Sequence, residues 1–373
     1  MTVQNFTVSY STDNGSTWTA FTNVQQIDAH IGRSRLMDSF EPSGMSFTMR
    51  YPSGFYSPNT ALVTGTLVKL EGNSAAYEMW RGRIADVSVD YGIPYSGNVG
   101  VSDYVTVSCE GALAIWGRLA GNNALVPANP VRAAVAAAIA GTGLLYGTTY
   151  TATDDPTVEA SNVTGSYLEW MNLLATTLSA TLKDGGPTTD TIGLNSKNFV
   201  GSLPCSFSDT TNNYYNQVYN QVKLTSQVEN YFTNVVVTTQ FNGTANVTTG
   251  SAPYRTLPIS TINSSNSQAT DLANYYLGNY NTPRTTITEI TATSEAQSQW
   301  GLDLGYGWWD IIGYRTNVTF RGTTYYMTIL GSTFTATPGG SMFSYQLADA
   351  SLSPFFVLDD PVYGILDTNK LSW

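Results

Sequence analysis

The sequence predicts a mainly β chain of the α+β type, with two β-rich regions flanking a short α/β stretch. Three observations predict it. Aromatic residues make up 12% of the chain, 24 of them Tyr, which favours pleated, half-buried strands over long helices. Alternating runs recur at short spacing before residue 110 and again from about Cys205 onward, the pattern of small barrels or sandwiches. Between these regions the period changes to a helical one. At 373 residues the chain exceeds one average domain. The changes of pattern divide it into a first β-barrel domain (1–118), a small α/β domain (119–204), a second β-barrel domain with an inserted helix (205–350) and a C-terminal docking segment (351–373).

In chain order, FTVSYS, TDNGST and WTAFT over residues 6–22 read as two alternating runs around an Asn-Gly pair, a strong hairpin signal. Strand-like runs follow at Met45 to Tyr51, Leu62 to Leu70, Glu78 to Tyr91 and Tyr104 to Cys109, punctuated by Gly, Pro and Asn. After Leu113 the character changes. Asn122, Asn123, Pro127 and Pro130 lead into VRAAVAAAIAGTG, an Ala-rich helix with Gly141 as its expected stop. A second helix is expected from Ser166 to Leu182, with Leu168, Met171, Leu174 and Leu178 on one face and Ser166 as cap.

Strands return at Val218 to Leu224, Tyr231 to Thr239, Thr285 to Thr293, Tyr314 to Phe320, Tyr325 to Thr335 and Met342 to Leu347. Ser267 to Tyr280 interrupts them as a short helix with Ala269, Leu272, Ala273, Tyr276 and Leu277 on one face, expected to plug or cap the second barrel. The Asn/Ser/Thr/Gly tracts at 242–252 and 263–268 read as surface loops. The last segment, Phe355 to Trp373, carries Leu358, Val362, Ile365, Leu366 and Trp373, and an apolar tail of this kind is expected to dock on its own domain or a neighbour.

Charged residues are only 12% of the chain, with Thr, Ser, Asn and Gly filling the polar positions. A net charge of −11 and a pI near 4.4 argue against a nucleic-acid partner, whose affinity depends on Lys and Arg releasing counterions. MTVQNFTVSY lacks a basic segment followed by an apolar core, so no secretory signal is expected. The most apolar stretch, Val131 to Leu145, contains Arg132 and two glycines and is too short to span hydrocarbon, so no membrane insertion is expected.

Cys109 and Cys205 lie far apart in strand-like segments, with one histidine in the whole chain, which leaves too few ligands for a Cys/His zinc site. They are read as buried thiols, with a mutual disulfide the open alternative. Ser11, Asp13, Gly15, Thr17 and Trp18 spell S-x-D-x-G-x-T-W, which resembles the Asp box of sialidases; the single copy reads as an Asx-type hairpin turn. His30 is the only side chain that could serve a Ser or Cys nucleophile as an imidazole base, and it sits in a strand-like context. The carboxylate pairs Asp154-Asp155 and Asp359-Asp360 read as solvated turns rather than a glycosidase pair. No phosphate loop, dinucleotide fingerprint, H-E-x-x-H or EF-hand spacing occurs. Tyr306, Trp308, Trp309 and Tyr314 form an aromatic cluster suited to core packing, a subunit interface or stacking on a sugar. The expectation is a protein without catalytic residues, cofactor or metal.

Several phrases carry a resemblance. Ile31 to Pro58 (IGRSRLMDSFEPSGMSFTMRYPSGFYSP) followed by WRGRIADVSVDY, Trp80 to Tyr91, resembles the N-terminal region of minor tail proteins from actinobacterial siphophages, with Tyr51 standing where Asn is commoner. EGALAIWGRL (Glu110 to Leu119) continues the likeness. YNQVYNQVKLTS (Tyr215 to Ser226) looks like the strand that opens the second barrel of phage tail hub proteins. A further pattern is filled by Ala269, Leu272, Ala273, Tyr275, Leu277, Pro283, Ile287 and Ile290, and LDDPVYGILDTNKL (Leu358 to Leu371) is similar to the closing phrase of the same proteins.

The resemblance implies two related β-barrels joined by a small α/β domain and assembled in a ring, with a trimer matching a six-fold tube preferred and a hexamer the alternative. It also implies a virion protein, made in the host cytoplasm, that closes the tail tube at the tail tip and contacts tube, distal-tail, tape-measure and fibre proteins. Low charge with abundant Tyr, Trp, Thr and Asn suits such interfaces. The alternative reading is a receptor- or carbohydrate-binding tail-tip protein.

Overall fold

The computed structural model describes residues 6–51, 62–72, 77–92, 102–148, 155–184, 191–195, 206–210, 216–226, 231–239, 243–283, 285–293 and 311–349. Three bodies of structure emerge. The first β region supplies β1 (Phe6–Ser11), β2 (Thr19–Ala20), β3 (Val24–Gly32), β4 (Gly44–Tyr51), β5 (Leu67–Gly72), β6 (Tyr77–Asp90) and β7 (Asp103–Glu110). The middle supplies α1 (Ala112–Arg118), β8 (Ala124–Val126), β9 (Asn129–Pro130), α2 (Val131–Ala138), β10 (Leu145–Thr148), β11 (Thr157–Val158), β12 (Ser161–Val163), α3 (Tyr167–Leu178), β13 (Thr181–Lys183) and β14 (Thr191–Asn195). The remainder holds β15 (Ser206–Ser208), β16 (Asn216–Val218), β17 (Gln221–Ser226), β18 (Asn234–Thr239), β19 (Gly243–Thr248), β20 (Thr256–Thr261), α4 (Asn266–Tyr280), β21 (Thr285–Thr293), β22 (Arg315–Phe320), β23 (Thr323–Thr337) and β24 (Gly340–Asp349).

The expectation of a mainly β chain holds. Strands of both β regions share one 14-stranded sheet, in the order β16-β15-β22-β23-β3-β4-β7-β6-β5-β1-β2, with β17, β21 and β24 joined to it through β23. The regions are linked by β23. Its N-terminal part pairs with β22, its C-terminal part with β3, and its opposite edge with β24 from Met327 to Thr337. Between the halves, at Ile329/Gly331, the register shifts as a bulge does when a strand changes direction. At that seam the backbones meet so closely that only glycine fits. A Cβ on Gly32, whose φ is +75°, would lie 2.3 Å from the Leu330 carbonyl oxygen, and one on Gly331 would lie 2.6 Å from that of Arg33.

Alternation along the strands fills one core with side chains from both regions. Phe47, Trp80 and Val107 from the first meet Phe207, Phe334, Phe343 and Tyr345 from the second. The rings of Phe6 and Phe334 lie 4.7 Å apart, and those of Phe334 and Phe343 4.8 Å apart, in tilted contacts.

The middle stretch packs its own core around Trp116, Val135, Trp170, Met171 and Leu174. Ser166 caps α3 as expected: its hydroxyl accepts from the Glu169 amide while the Glu169 carboxylate accepts from the Ser166 amide. The helix ends at Leu178, short of the expected Leu182, because Ser179 turns left-handed and Thr181–Lys183 leaves as a strand. The Ala-rich helix is likewise shorter than its text, stopping at Ala138 before Gly141. Among the described residues no helix is long and apolar enough to cross a membrane.

Within the remainder lies a satellite unit. Residues 231–283 lie between β17 and β21, which pair with each other, so the unit stands where a hairpin loop would be. It consists of a sheet in the order β19-β18-β20, with β18 and β20 parallel, covered by α4. Val235, Val237, Ala245, Ile259, Ala269, Leu272, Ala273 and Leu277 form its core. α4 lays its apolar face on this small sheet, against β18 and β19, while its Tyr280 end borders a cleft with Leu330 and Leu347 of the shared sheet. One expectation changes here. The 242–252 tract holds a six-residue strand with Ala245 buried, because Thr and Val paired to β18 satisfy the backbone as well as a loop would.

Candidate assembly surfaces and junctions

The side chains singled out in the sequence do structural work or fall outside the described residues. Ser11, Asp13 and Thr17 close the first hairpin: the Asp13 carboxylate accepts from the Ser11 hydroxyl (2.7 Å), the Thr17 amide (2.8 Å) and the Thr17 hydroxyl (2.6 Å). These donors, the Thr17 hydroxyl first, hold its carboxyl down at about 2. Trp18, next in the box, is clasped by two cations, with Lys69 Nζ 4.7 Å and the Arg81 guanidinium carbon 5.0 Å from the centre of its ring system. Each cation has its own carboxylate, Lys69 with Glu71 at 2.6 Å and Arg81 with Glu78 at 3.0 Å. Burial pushes the Glu78 carboxyl up to about 7 against the pull of Arg81 and Lys69.

His30 is exposed on β3, and its ring lies over Gly44 on the neighbouring strand. Cys109 is a buried free thiol whose pKa burial raises. Asp155 binds the start of α2, accepting from the Arg132 amide at 3.1 Å and pairing with its side chain at 3.4 Å. Tyr314 lies against Lys183, whose Nζ is 4.9 Å from the ring centre. Cys205, Asp154, Tyr306, Trp308, Trp309, Asp359-Asp360, Pro52 to Pro58 and the Phe355 to Trp373 segment lie outside the described residues. Among those described, no group of three or more His, Cys, Asp and Glu side chains could hold a metal ion.

The junctions between the bodies rest mainly on residues that the sequence did not mark, Asp184, Asn172 and Phe40 among them. Asp184 accepts from the Ser43 amide and the Leu113 amide, both at 2.7 Å, and so ties the first β region to the N-terminus of α1. Asn172 on α3 grips the backbone of Phe40 from both sides, donating to its carbonyl oxygen (3.1 Å) and accepting from its amide (2.8 Å). The Phe40 ring is covered by the Arg33 guanidinium at 4.2 Å. Tyr276 and Tyr280 of α4 stack at 6.2 Å, and burial raises both phenols while nearby Arg33 opposes the rise. The loop from Arg33 to Phe40 thus contacts the middle stretch and the satellite together. Long-range polar contacts of this kind leave no spacing signature; Asp184 is 141 residues from Ser43.

Beside that loop opens a cleft of about 440 Å³, lined by Arg35, Lys223, Thr225, Thr288, Glu289 and Gln346 among others. Its lining is mixed in charge and rich in hydroxyls. Exposed large apolar side chains are scattered, with Tyr91 at 57% and Leu125 at 70% on different bodies.

No protein-family model matches the sequence, and no curated relative does. Solved structures do. The 43 kDa tail protein of prophage MuSo2 from Shewanella oneidensis superposes with a TM-score of 0.66 over 92% of this chain and 98% of its own, at 12% identity. A tail protein from Neisseria meningitidis MC58 gives 0.64 over 93% and 97%, at 10% identity. This chain has a phage tail-protein fold. An Escherichia coli component of the type VI secretion system, described as structurally similar to the T4 bacteriophage tail proteins gp27 and gp5, shares that fold with a TM-score of 0.54 over 88% of this chain and 73% of its own, at 10% identity. Such low identity over such coverage means that the tail-protein fold is kept by patterning and register rather than by particular residues.

Proposed function

We propose that the chain is a non-enzymatic structural subunit of a phage-type tail tip, a hub or distal-tail component that closes the tail tube and holds neighbouring tail proteins. The observation that carries this reading is the end-to-end likeness to tail proteins, 92% and 98% of the two chains for the MuSo2 prophage tail protein. The side-chain chemistry agrees: the polar residues singled out in the sequence act as turn, cap and junction groups. The division 1–118, 119–204, 205–350 and 351–373 is part of the proposal; a separate core supports a distinct middle stretch, one that also takes Leu113 and Trp116 of α1 from before residue 119. Kinship with actinobacterial siphophage tails rests on the phrases at Ile31 to Pro58 and Trp80 to Tyr91.

Assembly as a ring of three copies follows from two β regions per chain, which would let three subunits present six similar units to a six-fold tube; six copies is the alternative. Class averages of the purified chain by negative-stain electron microscopy test this. A three-fold ring is expected. A six-fold ring moves the subunit to the distal-tail layer, and a particle with neither symmetry, in the chain alone and together with its tail neighbours, overturns the ring. The hydroxyl-lined cleft favours one further reading, a saccharide-binding tail-tip protein. Saturable binding on a glycan array, lost in Gln346→Ala, would support it; an array without signal removes it.

A further inference from the structure

We propose that β19 is a self-complementary edge through which two copies of the chain join their satellite sheets across a two-fold axis. The contact is additional to the ring of the preceding proposal.

Sheet edges are normally guarded by charge, proline, bulges or a covering element. Two of the edges here are. β17 carries Lys223 and a bulge at Lys223/Leu224. β20 contains Pro258, and just beyond it Ile262 is tied to the middle stretch, its amide donating to Thr177 Oγ1 at 3.0 Å and its carbonyl accepting from the Glu159 amide at 2.9 Å. Among the described residues β19 shows none of these devices. Among the described residues it pairs with β18 alone, in unbroken register from Gly243 to Thr248. It has no Pro and no charge, and no charged residue occurs between Glu229 and Arg255. In a chain of net charge −11, two copies can bring this edge together without local like-charge repulsion.

The backbone pattern names the groups on offer. The Thr249 amide donates to the Thr233 carbonyl, so by the alternation of an antiparallel ladder Gly243, Ala245 and Val247 bond inward to β18. Thr244, Asn246 and Thr248 therefore turn their N–H and C=O groups to the open edge. Their side chains share the exposed face, while Ala245 and Val247 lie on the α4 side.

The occupant follows from the order T-A-N-V-T over 244–248, a chemical palindrome about Asn246. Antiparallel pairing with a second β19, centred on Asn246, sets Asn against Asn, Thr244 against Thr248 and Ala245 against Val247. Every pair keeps its two side chains on one face, as continuity of a sheet requires. Each outward-bonding residue meets another, giving about six new backbone hydrogen bonds. Thr–Thr pairs line the outer face, and the half-buried Val247 gains an apolar neighbour on the inner one. The contact is isologous, as a two-fold contact must be.

Sedimentation equilibrium of the full chain over a concentration series tests the proposal, with circular dichroism confirming that each variant is folded. Wild-type chain is expected to show a concentration-dependent doubling of mass, monomer to dimer or three-fold ring to a pair of rings. The double variant T244K/T248K, which opposes introduced lysines at both ends of the register, should weaken that step about ten-fold or more. T244K/T248E should restore it, because the register then sets Lys against Glu. N246C should give disulfide-linked dimers under mild oxidation, whereas T270C, on the exposed face of α4, should not. A chain without the two-fold step, charge variants that behave alike, or N246C cross-linking no faster than T270C would each overturn the pairing. Three-fold rings that persist in T244K/T248K would leave the tail-tip reading intact, so the two proposals fail separately.

Discussion

The large shared sheet and the satellite are both β structure, yet they are held together differently. The shared sheet buries Trp80, Phe47, Phe207, Phe334, Phe343 and Tyr345, contributed by segments up to about three hundred residues apart. The satellite is built from one local stretch around Val, Ala, Leu and Ile, with Tyr276 only packed against its edge. Buried apolar area sets the stabilisation, at about 25 cal/mol per Å². Large aromatics therefore give the shared sheet the greater cohesion and leave the satellite as a unit able to open by itself. The difference teaches that two regions of one strand-rich class can carry separate duties. One fixes the frame, and the other is free to adapt at an edge.

The sharpest way to break the comparison is in the shared core. Phe334→Ala removes a ring that touches Phe6 and Phe343 and should cost about 3–5 kcal/mol in urea unfolding, lowering the transition for the whole chain. Gly32→Ala attacks the seam that joins the halves; a positive φ together with a Cβ 2.3 Å from a carbonyl oxygen should cost about 2–4 kcal/mol. Leu277→Ala, in the satellite, should cost about 2–3 kcal/mol, but hydrogen exchange should show the loss confined to 231–283. If Leu277→Ala instead lowered protection in β3 and β23 as much as in α4, the two regions would be one cooperative unit.

Smaller effects belong to the Trp18 clasp. Glu78 is raised to about 7 from an ordinary 4.5, so the folded chain holds a proton there that the unfolded chain releases. Its contribution is most favourable below pH 4.5 and is lost as pH rises toward 7. Glu78→Gln should flatten the dependence of stability on pH across that window; an unchanged slope would remove Glu78 as its source. Asp13 has the opposite sign: held at about 2, it supports the hairpin above pH 3.8 and loses that role as pH falls through 2. Asp13→Asn should speed exchange of the Thr17 amide and little else, because the group is exposed.

Parts of this were legible in the sequence because their causes are local. The Asp13 turn needed only Ser11 to Thr17, and the Ser166 cap only four residues. The period-two runs at Met45 to Tyr51 and Thr285 to Thr293 became β4 and β21. Polar residues hid the rest. Gly243–Thr248 reads as a loop because Thr and Asn serve a paired backbone and a solvated one equally well, and only β18 beside it decides. The run that continues past Leu178 looks helical because Leu182 falls on the helical face, but it faces a strand partner at Leu194 instead.

By itself, then, the sequence determined the class of the protein, its order of β, α/β and β regions, and the chemistry of its turns, since period, cap and turn signals act over a few residues. The tertiary structure decided what those strands belong to. That β23 splits one edge between β22 and β3, that Asp184 and Asn172 tie the bodies together, and that α4 covers a sheet of its own all depend on contacts between residues far apart in the chain. Backbone groups and apolar faces are interchangeable in composition, and only their meeting in space selects a partner.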